Sequence, residues 1–540
     1  MQQELQRRRL GRRRLLGLAG GTVAATVFGP WGLTGAASVQ HPGTHMYPKF
    51  NQTAGFGTLV PDPKGRLALP PGFQYRELSP EGGTLSNGDI VPSWHDGMAA
   101  YAGPNGTTIL VRNHELVQDS NDYPAIKPVI GKNPYGADVF GGTTAIIVGP
   151  DRSELQSFVS SSGTVNNCAG GATPWGTWLT CEEATSQGLQ DEDGITTLQP
   201  HGYVFEVDPN DPENELSRTP IKEMGVFSHE AMGYDPDTGI VYLTEDGETE
   251  TDPLDPRNDS GGSVLFRFIP ADLTRRPGAL QKGGTLQALK AVALPAANDA
   301  DLYDPGQRFG TTWIDVDPEG PAEDALAKDA LHFNRLEGAH FAGGALWFCD
   351  TNGGEQRLGQ IFRYIPATNT LELFYEGDDG AGVPEPESDV GRDFARLDNP
   401  DNIVIAPWGD VIVAEDGGGV NRLIGFTPDG EHYVLAQHVI PPQNHEEEEL
   451  PENLHSELAG PTFSPDGQTL FFNVQAPGVT FAVWGPFQRM NTARRRQMSV
   501  AAPPPSLAPY LSGELREAAD RHHLSALEAA AFHRLGVPIL

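Results

Sequence analysis

One unit, written several times through the middle of the chain, limits the fold more than any other feature. Glu230 opens a short apolar run, Asp235-Pro-Asp-Thr-Gly239 turns it, Ile240-Val-Tyr-Leu returns, and Thr244-Glu245-Asp246 closes it. Glu337 opens a second copy that turns at Gly343-Gly344 and returns through Ala345-Leu-Trp-Phe to Cys349-Asp350. Asp401 opens a third, which turns at Pro407-Trp-Gly-Asp410 and closes at Glu415-Asp416. Glu457 opens a fourth, which turns at Pro465-Asp-Gly467 and closes at Asn473. About 14 residues separate opener and closer each time, a length that suits two antiparallel strands and a tight turn. A further strand signature follows several copies, in Gly202–Pro209, Gly262–Pro270, Gly359–Pro366 and, in degenerate form, Leu423–Pro428.

The spacing finds two more copies. Counting back 14 residues from Glu182 reaches Cys168, and the run ending at His114-Glu115 has its opener at Asp96. The openers Asp96, Cys168, Glu230, Glu337, Asp401 and Glu457 stand at intervals of 72, 62, 107, 64 and 56 residues. Six such units predict an all-β fold, a six-bladed β-propeller over residues 45–490. The long interval predicts an insertion over about 271–335, or else a seventh, degenerate blade; no opener lies inside it, which favours the insertion. Gly and Pro together make up about a fifth of the 540 residues, which fits many turns and short strands.

Both ends differ from this body. Six arginines between Arg7 and Arg14 precede the apolar, glycine-rich stretch Leu15–Leu33, and small residues follow at Gly35-Ala36-Ala37. Residues 1–37 therefore read as an export signal. The order Arg12-Arg13-x-Leu15-Leu16 resembles the twin-arginine type, used for proteins exported already folded, and implies a periplasmic or extracellular destination. At the other end, a linker with Pro503-Pro504-Pro505 leads to helical spacing over 512–535, so residues 491–540 read as a linker and a short C-terminal helical tail.

The net charge is −35, and without residues 1–37 it is −40. A surface this acidic excludes nucleic-acid binding through a basic face. Three cysteines, Cys168, Cys181 and Cys349, exclude a disulfide scaffold. No Gly-x-Ser-x-Gly elbow, Walker loop or His-Glu-x-x-His motif is present.

In a propeller the first strand of each blade lines the central channel, so equivalent opening residues form a ring. Here that ring would hold Asp96, Cys168, Glu230, Glu337, Asp401 and Glu457. The closing residues Glu115, Glu182, Glu183, Glu245, Asp246, Asp350, Glu415 and Asp416 would lie just outside it. Clustered carboxylates bind protons or cations, because like charges a few ångströms apart repel. Flexible oxygen-rich clusters are calcium chemistry, and a thiol among them points to a transition metal as well. For any single acid, capping of a turn explains it as well; repetition at one position favours the metal. His114, His229 and His340 flank these positions as packing or supporting residues. Arg335 stands two residues before Glu337, on the same strand face. Its guanidinium would suit a phosphate, or would pair with the nearest carboxylate.

These residues resemble the PhoX-type alkaline phosphatases. The match is carried by the signal, by Asn167-Cys168-Ala-Gly-Gly-Ala-Thr-Pro-Trp-Gly-Thr-Trp-Leu-Thr-Cys-Glu-Glu183, by Ser228-His229-Glu230, and by Gly460–Gly467 running into Gln475–Gly478. The resemblance spans residues 90 to 490. It implies a phosphomonoesterase with ferric iron and calcium in its site, one iron taking a cysteine ligand, with a small phosphate ester as substrate. Carried onto this chain, the thiolate is Cys168, with Cys181 as the alternative. Glu230, Glu337 and Glu457 are metal ligands, with Asp401 and Glu415 as further candidates, and Glu115, Glu182, Glu245 and Asp246 complete the candidate ligand set. Arg335 and Glu337 are the catalytic candidates. A calcium-dependent lactonase or esterase propeller and a non-catalytic calcium-binding propeller are the alternatives.

Overall fold

The computed structural model describes residues 49–490, apart from 117–125, 186–196, 248–261, 293–299, 301–302, 355–356, 378–396, 418–420, 429 and 440–455. The signal-like segment 1–37 and the tail 491–540 lie outside the described residues. The rest is an all-β, propeller-like fold interrupted by short 3-10 turns and by the short helix Pro321–Ala327, with helix again at 488–490.

Each repeat forms a hairpin. The inner strands are His95–Ala102, Asn167–Ala172, His229–Tyr234, Leu336–Ala342, Pro400–Ile405 and Leu458–Phe463. They pair antiparallel, in that order, with Thr108–His114, Trp178–Glu182, Val241–Glu245, Ala345–Asp350, Val411–Glu415 and Thr469–Val474. Third strands follow at Gly141–Val148, Val204–Val207, Phe266–Pro270, Gln360–Ile365, Arg422–Phe426 and Val479–Trp484. The second strands are buried on both faces, which explains why Val411-Ile-Val-Ala reads as an unbroken apolar run.

Four of these fans stand as separate sheets. The fans opened by Glu230 and Glu337 are fused into one nine-stranded sheet, because Arg308–Asp315 pairs with both Gly284–Ala291 and Thr370–Glu376. The insertion thus begins later than expected: Gly284–Ala291 is the fourth strand of the Glu230 fan, hydrogen-bonded to Phe266–Pro270.

The inner strands pack side by side in a cycle, and the last lies against the first. The chain closes the cycle with a strand from its N-terminal side. Gln74–Leu78 pairs antiparallel with Val479–Trp484 and completes the fan of Leu458–Phe463. Hydrophobic clusters fill the junctions between fans. Leu179 and Cys181 meet Met232 and Leu243, Tyr242 meets Phe348 and Tyr364, and Cys349 and Ile361 meet Ile403 and Val413. Ile412 and Leu423 meet Leu470 and Phe472, Leu78 and Phe471 meet Met98 and Leu110, and Val111 meets Trp178. Each junction buries the faces that an isolated fan would expose to water, so no fan can be stable alone.

Just past the bulged residues, neighbouring inner strands meet too closely for a side chain at two glycines. A Cβ on Gly97 would lie 2.5 Å from Ala169 Cα, and one on Gly338 would lie 2.6 Å from Asn402 Cα. Below the channel mouth a cavity of about 120 Å³ is lined from all six inner strands, among them Gly97, Ala169, Ala231, Gly338, Asn402 and Gly460.

Leu78 is buried at the seam where the N-terminal strand closes the cycle. Leu78→Ala is expected to destabilise the protein by about 2–5 kcal/mol, the usual cost of a buried leucine cavity. Chemical denaturation would read this; a loss below about 1 kcal/mol would mean that the seam does not support the fold.

Candidate metal centre

A β-bulge recurs near the start of every inner strand. Register shifts fall between His95 and Met98, Asn167 and Gly170, His229 and Met232, Leu336 and Ala339, Pro400 and Ile403, and Ala459 and Thr462. Two inner residues then face one residue of the second strand, which bends the strand and re-aims the side chain there. The first bulged residue is Asp96, Cys168, Glu230, Glu337 or Asp401 in five fans. In the sixth it is Gly460, not Glu457. Glu457 lies three residues earlier, outside the strand.

The residue opposite each bulge is Asn113, Cys181, Thr244, Cys349, Ala414 or Phe472. This separates the two candidate thiols. Cys168 is a bulge residue, with Sγ 3.7 Å from Asp96 Oδ2. Cys181 faces the neighbouring fan and packs with Leu179, Val204 and Met232.

Strand alternation sorts the closing acids. Glu182, Glu245 and Glu415, expected near the ring, end their second strands and hold backbone N–H groups instead. Glu182 accepts from Val165 N, Gly202 N and Tyr203 N, and from His201 Nδ1 at 2.5 Å. Glu245 accepts from Val264 N. Glu415 accepts from Asp398 N and Arg422 N, and pairs with the Arg422 guanidinium at 2.7 Å. Asp350 accepts from Asn334 N. These carboxylates clamp the loops that lead into the first and third strands.

The next residue points the other way. Glu115, Glu183, Asp246 and Asp416 each donate their N–H to the carbonyl just before the inner strand, at Trp94, Asn166, Ser228 and Asn399, over 2.9–3.1 Å. Trp94, Asn166 and Asn399 hold left-handed backbone, with φ of 47°, 46° and 45°, an unusual conformation for a side chain such as tryptophan. In the Glu337 fan the corresponding residue is Thr351, whose hydroxyl donates to Pro400 O at 2.5 Å.

The mouth therefore gathers Asp96, Glu115, Cys168, Glu183, Glu230, Asp246, Glu337, Asp401, Asp416 and Glu457. Ligand atoms of Asp96, Glu115 and Cys168, and those of Cys168, Glu230 and Glu337, lie within 4.8 Å of one another. Gln475 donates to Glu115 Oε2 at 2.5 Å and to Glu457 Oε1, which ties Glu457 to the group from its loop. Arg335 supplies positive charge. Its Nε and Nη2 donate to Asp246 at 3.1–3.4 Å, and Nη2 also donates to Glu337 Oε1 at 2.5 Å.

Two like charges about 4 Å apart repel by about 4 kcal/mol at an effective dielectric near 20. The cluster shows the consequence. Burial, and then the Asp416 charge, push Glu115 up to about 7 and Asp401 up to about 8. Glu230 is driven well above the usual range by burial and then by Glu337, Glu183, Asp401 and Asp96. Glu337, Glu183, Asp96 and Glu457 are raised well above it for the same reasons, and burial raises the Cys168 thiol.

Both Glu230 oxygens are buried and meet no hydrogen-bond donor among the described residues. A buried carboxylate without a donor is costly as an anion, and a cation would answer it. Oxygen donors with one sulfur fit a hard cation beside a thiophilic one. The flanking histidines do not join the cluster: His114 is held by Ser93 O and Thr144 Oγ1, and His229 by Gly225 O. His340 lines the cavity below. The repeat spacing places Glu183 and Asp416 among the closing acids without separating them from Glu182 and Glu415, and it does not mark Gln475, which stands out only in the Gln475–Gly478 segment of the family resemblance.

The family model described as alkaline phosphatase PhoX matches residues 54–478. Among solved structures, Pseudomonas fluorescens PhoX in complex with vanadate, a transition state analogue, is 18% identical over 78% of this chain and 96% of that chain, with a TM-score of 0.55. A gluconolactonase from Xanthomonas campestris is 10% identical over 81% and 98% of the two chains, at a TM-score of 0.37. Virginiamycin B lyase from Staphylococcus aureus is 10% identical over 76% and 99%, at 0.33. Only the first of these scores marks a shared fold. No curated protein matches the chain.

The raised carboxylates set a pH dependence. In the unfolded chain such groups titrate near 4. In the cation-free fold Glu115 and Asp401 hold their protons to about 7 and 8. The folded state then binds more protons, so its stability is full below about pH 4 and is lost as pH rises toward about 8. Thermal melts of cation-stripped protein should show Tm falling between pH 5 and 8.5, and millimolar calcium should remove that fall. A Tm that stays flat or rises without cation would contradict the clustering of charge.

Proposed function

The chain belongs to the alkaline phosphatase PhoX family and is an enzyme of that phosphatase type; on that premise we propose that it hydrolyses phosphate monoesters at the carboxylate–cysteine cluster of a six-bladed propeller. The closed cycle of six inner strands supports the blade count, with two blades fused through Arg308–Asp315. The observation that carries the site assignment is Glu230, whose two buried oxygens meet no donor among the described residues, inside a group that includes Cys168 and Glu337.

Cys168, Glu230, Glu337, Asp401 and Asp96 would hold the metals from the bulges, and Glu115, Glu183, Asp246, Asp416 and Glu457 from above. Ferric iron and calcium fit this donor set; bound there, they supply Lewis acidity toward phosphate oxygens and activation of water as the nucleophile. The protein's own contribution is positional. Asp246 and Glu337 engage Nε and Nη2 of Arg335, which leaves Nη1 to meet a phosphate oxygen as charge builds on the transferring group. Burial of the bulge residues keeps bulk water from screening that contact. Glu182, Glu245 and Glu415 support the site from behind by fixing the loops around it. Residues 1–37 would direct the folded protein through the twin-arginine machinery to the periplasm or the outside.

Elemental content and p-nitrophenyl phosphate hydrolysis, measured on one sample of purified protein, test this reading. Iron together with calcium-dependent phosphate release is the expected result. Calcium without iron, or release that survives chelation, would overturn it. Glu230→Gln should lower activity at least 100-fold and lose metal, whereas Glu245→Gln should lower thermal stability while keeping most of the metal. Equal metal loss in both variants would mean that the two acids have not been told apart correctly.

A further inference from the structure

Behind the cluster lies a cation that its chemistry does not use. Arg112, in the second strand of the Asp96 fan, is fully buried and pairs with no carboxylate through a hydrogen bond among the described residues. Its Nη1 donates to Thr480 Oγ1 at 2.8 Å, to His95 Nδ1 at 3.1 Å and to Ser79 O at 3.3 Å. Its Nη2 donates to Thr144 Oγ1 at 3.2 Å and to Ser79 Oγ at 3.3 Å. These partners come from the first fan, the last fan, and Ser79, the residue just after the N-terminal closing strand.

The contacts assign protons. A guanidinium only donates, so His95 Nδ1 accepts and the ring proton sits on Nε2, which donates to Pro92 O at 3.1 Å. His114 Nδ1 lies 2.7 Å from Ser93 O, which only accepts, so that nitrogen carries the proton. Its Nε2, in the neutral ring, then accepts from the Thr144 hydroxyl at 2.9 Å, whose oxygen receives Arg112. His95 directly precedes Asp96, and His114 directly precedes Glu115. A second route runs through Thr480, which donates to Asn473 Oδ1 at 2.6 Å, while Asn473 Nδ2 donates to Asp96 O at 2.5 Å.

We propose that Arg112 is a positioning residue that sets Asp96 and Glu115 for cation binding and ties that setting to closure of the cycle by the N-terminal strand. This rests on the cation-holding reading of the cluster. Asp96 and Glu115 share one candidate group with Cys168, so an error in their placement reaches the thiol directly. Partners one step behind metal ligands commonly change affinity 10- to 100-fold when removed.

The experiment is a calorimetric titration of Ca²⁺ into chelator-treated full-length protein, with histidine-selective ¹⁵N NMR on the same samples. Arg112→Met is expected to weaken Ca²⁺ binding about 10- to 100-fold, with partial rescue in Arg112→Lys, and to release His95 from its single Nε2–H tautomer. Leu110→Ala, a buried packing change two residues away, should lower Tm with Ca²⁺ affinity within about twofold of native, since it touches none of these hydrogen bonds. Should Arg112→Met fail to fold, Thr480→Val removes one link alone and should weaken Ca²⁺ binding several-fold. Native affinity in Arg112→Met or Thr480→Val, or an Nδ1–H tautomer for His95 in the native protein, would overturn the proposal while leaving the phosphatase reading intact. A native protein that takes up no Ca²⁺ would remove the cation-holding reading itself, and this proposal with it.

Discussion

A bulge at the same place in six inner strands is the constraint on which the rest depends. Without it, strand alternation would send the residue after the strand start toward a neighbouring fan, into an apolar junction. With it, two residues oppose one, and the first turns toward the axis. Five of those residues are Asp96, Cys168, Glu230, Glu337 and Asp401. The same geometry places Asn113 and Thr244 opposite a bulge, where they reach the next fan. Asn113 Nδ2 donates to Cys168 O at 3.0 Å and Ala169 O at 2.7 Å, and Thr244 Oγ1 donates to Glu337 O at 2.7 Å. Cys168 and Glu337 are thus held by a neighbouring fan's strand as well as by their own.

That shared support answers an electrostatic problem. Nine carboxylates in one mouth would spread apart if the backbone allowed it. The bulges, the N–H bonds from Glu115, Glu183, Asp246 and Asp416 to the carbonyls before the inner strands, and the staples between fans do not allow it. Burial first, and that repulsion second, raise the proton affinity of Asp96, Glu115, Glu183, Glu230, Glu337, Asp401 and Glu457, and a bound cation can relieve both. Rigid placement of mutually repelling ligands is how a fold turns its stability into affinity for a hard ion.

Much of this was readable from the chain, and the failures have physical causes. The openers Asp96, Cys168, Glu230, Glu337 and Asp401 repeat in type and spacing, and the bulge preserves their register. Glu457 was aligned by its charge, yet the strand register puts Gly460 at that place; its φ of +57° and the 2.7 Å that would separate a Cβ from Asp96 O leave room for no side chain. Glu457 still reaches the cluster, but from a loop. The adjacent acids Glu182-Glu183, Glu245-Asp246 and Glu415-Asp416 could not be separated by spacing, because neighbours on a strand face opposite ways and only the pairing partner tells which is which. The choice between Cys168 and Cys181 has the same origin: one is a bulge residue and the other stands opposite a bulge. Gly284–Ala291 looked like inserted chain because its fan carries an added strand beyond it, and an edge strand has no fixed spacing from the next opener.

The route by which the ring closes bears on the quality of the site. The last fan borrows Gln74–Leu78 from the N-terminal side, so the first and last fans meet at a seam between distant parts of the chain. Asp96 and Glu115 stand beside that seam, and Asn473 from the last fan holds the Asp96 carbonyl. The thiol is one fan further on, within reach of Asp96. A chain that has not docked its closing strand would keep most of its hairpins, since those contacts are local. It would lack the correct spacing between Asp96, Glu115 and Cys168, since that spacing is set across the seam. Ligand geometry therefore depends on a contact between distant parts of the chain, a kind that is costly to close, and a partly closed chain would hold its acids too loosely to select a cation.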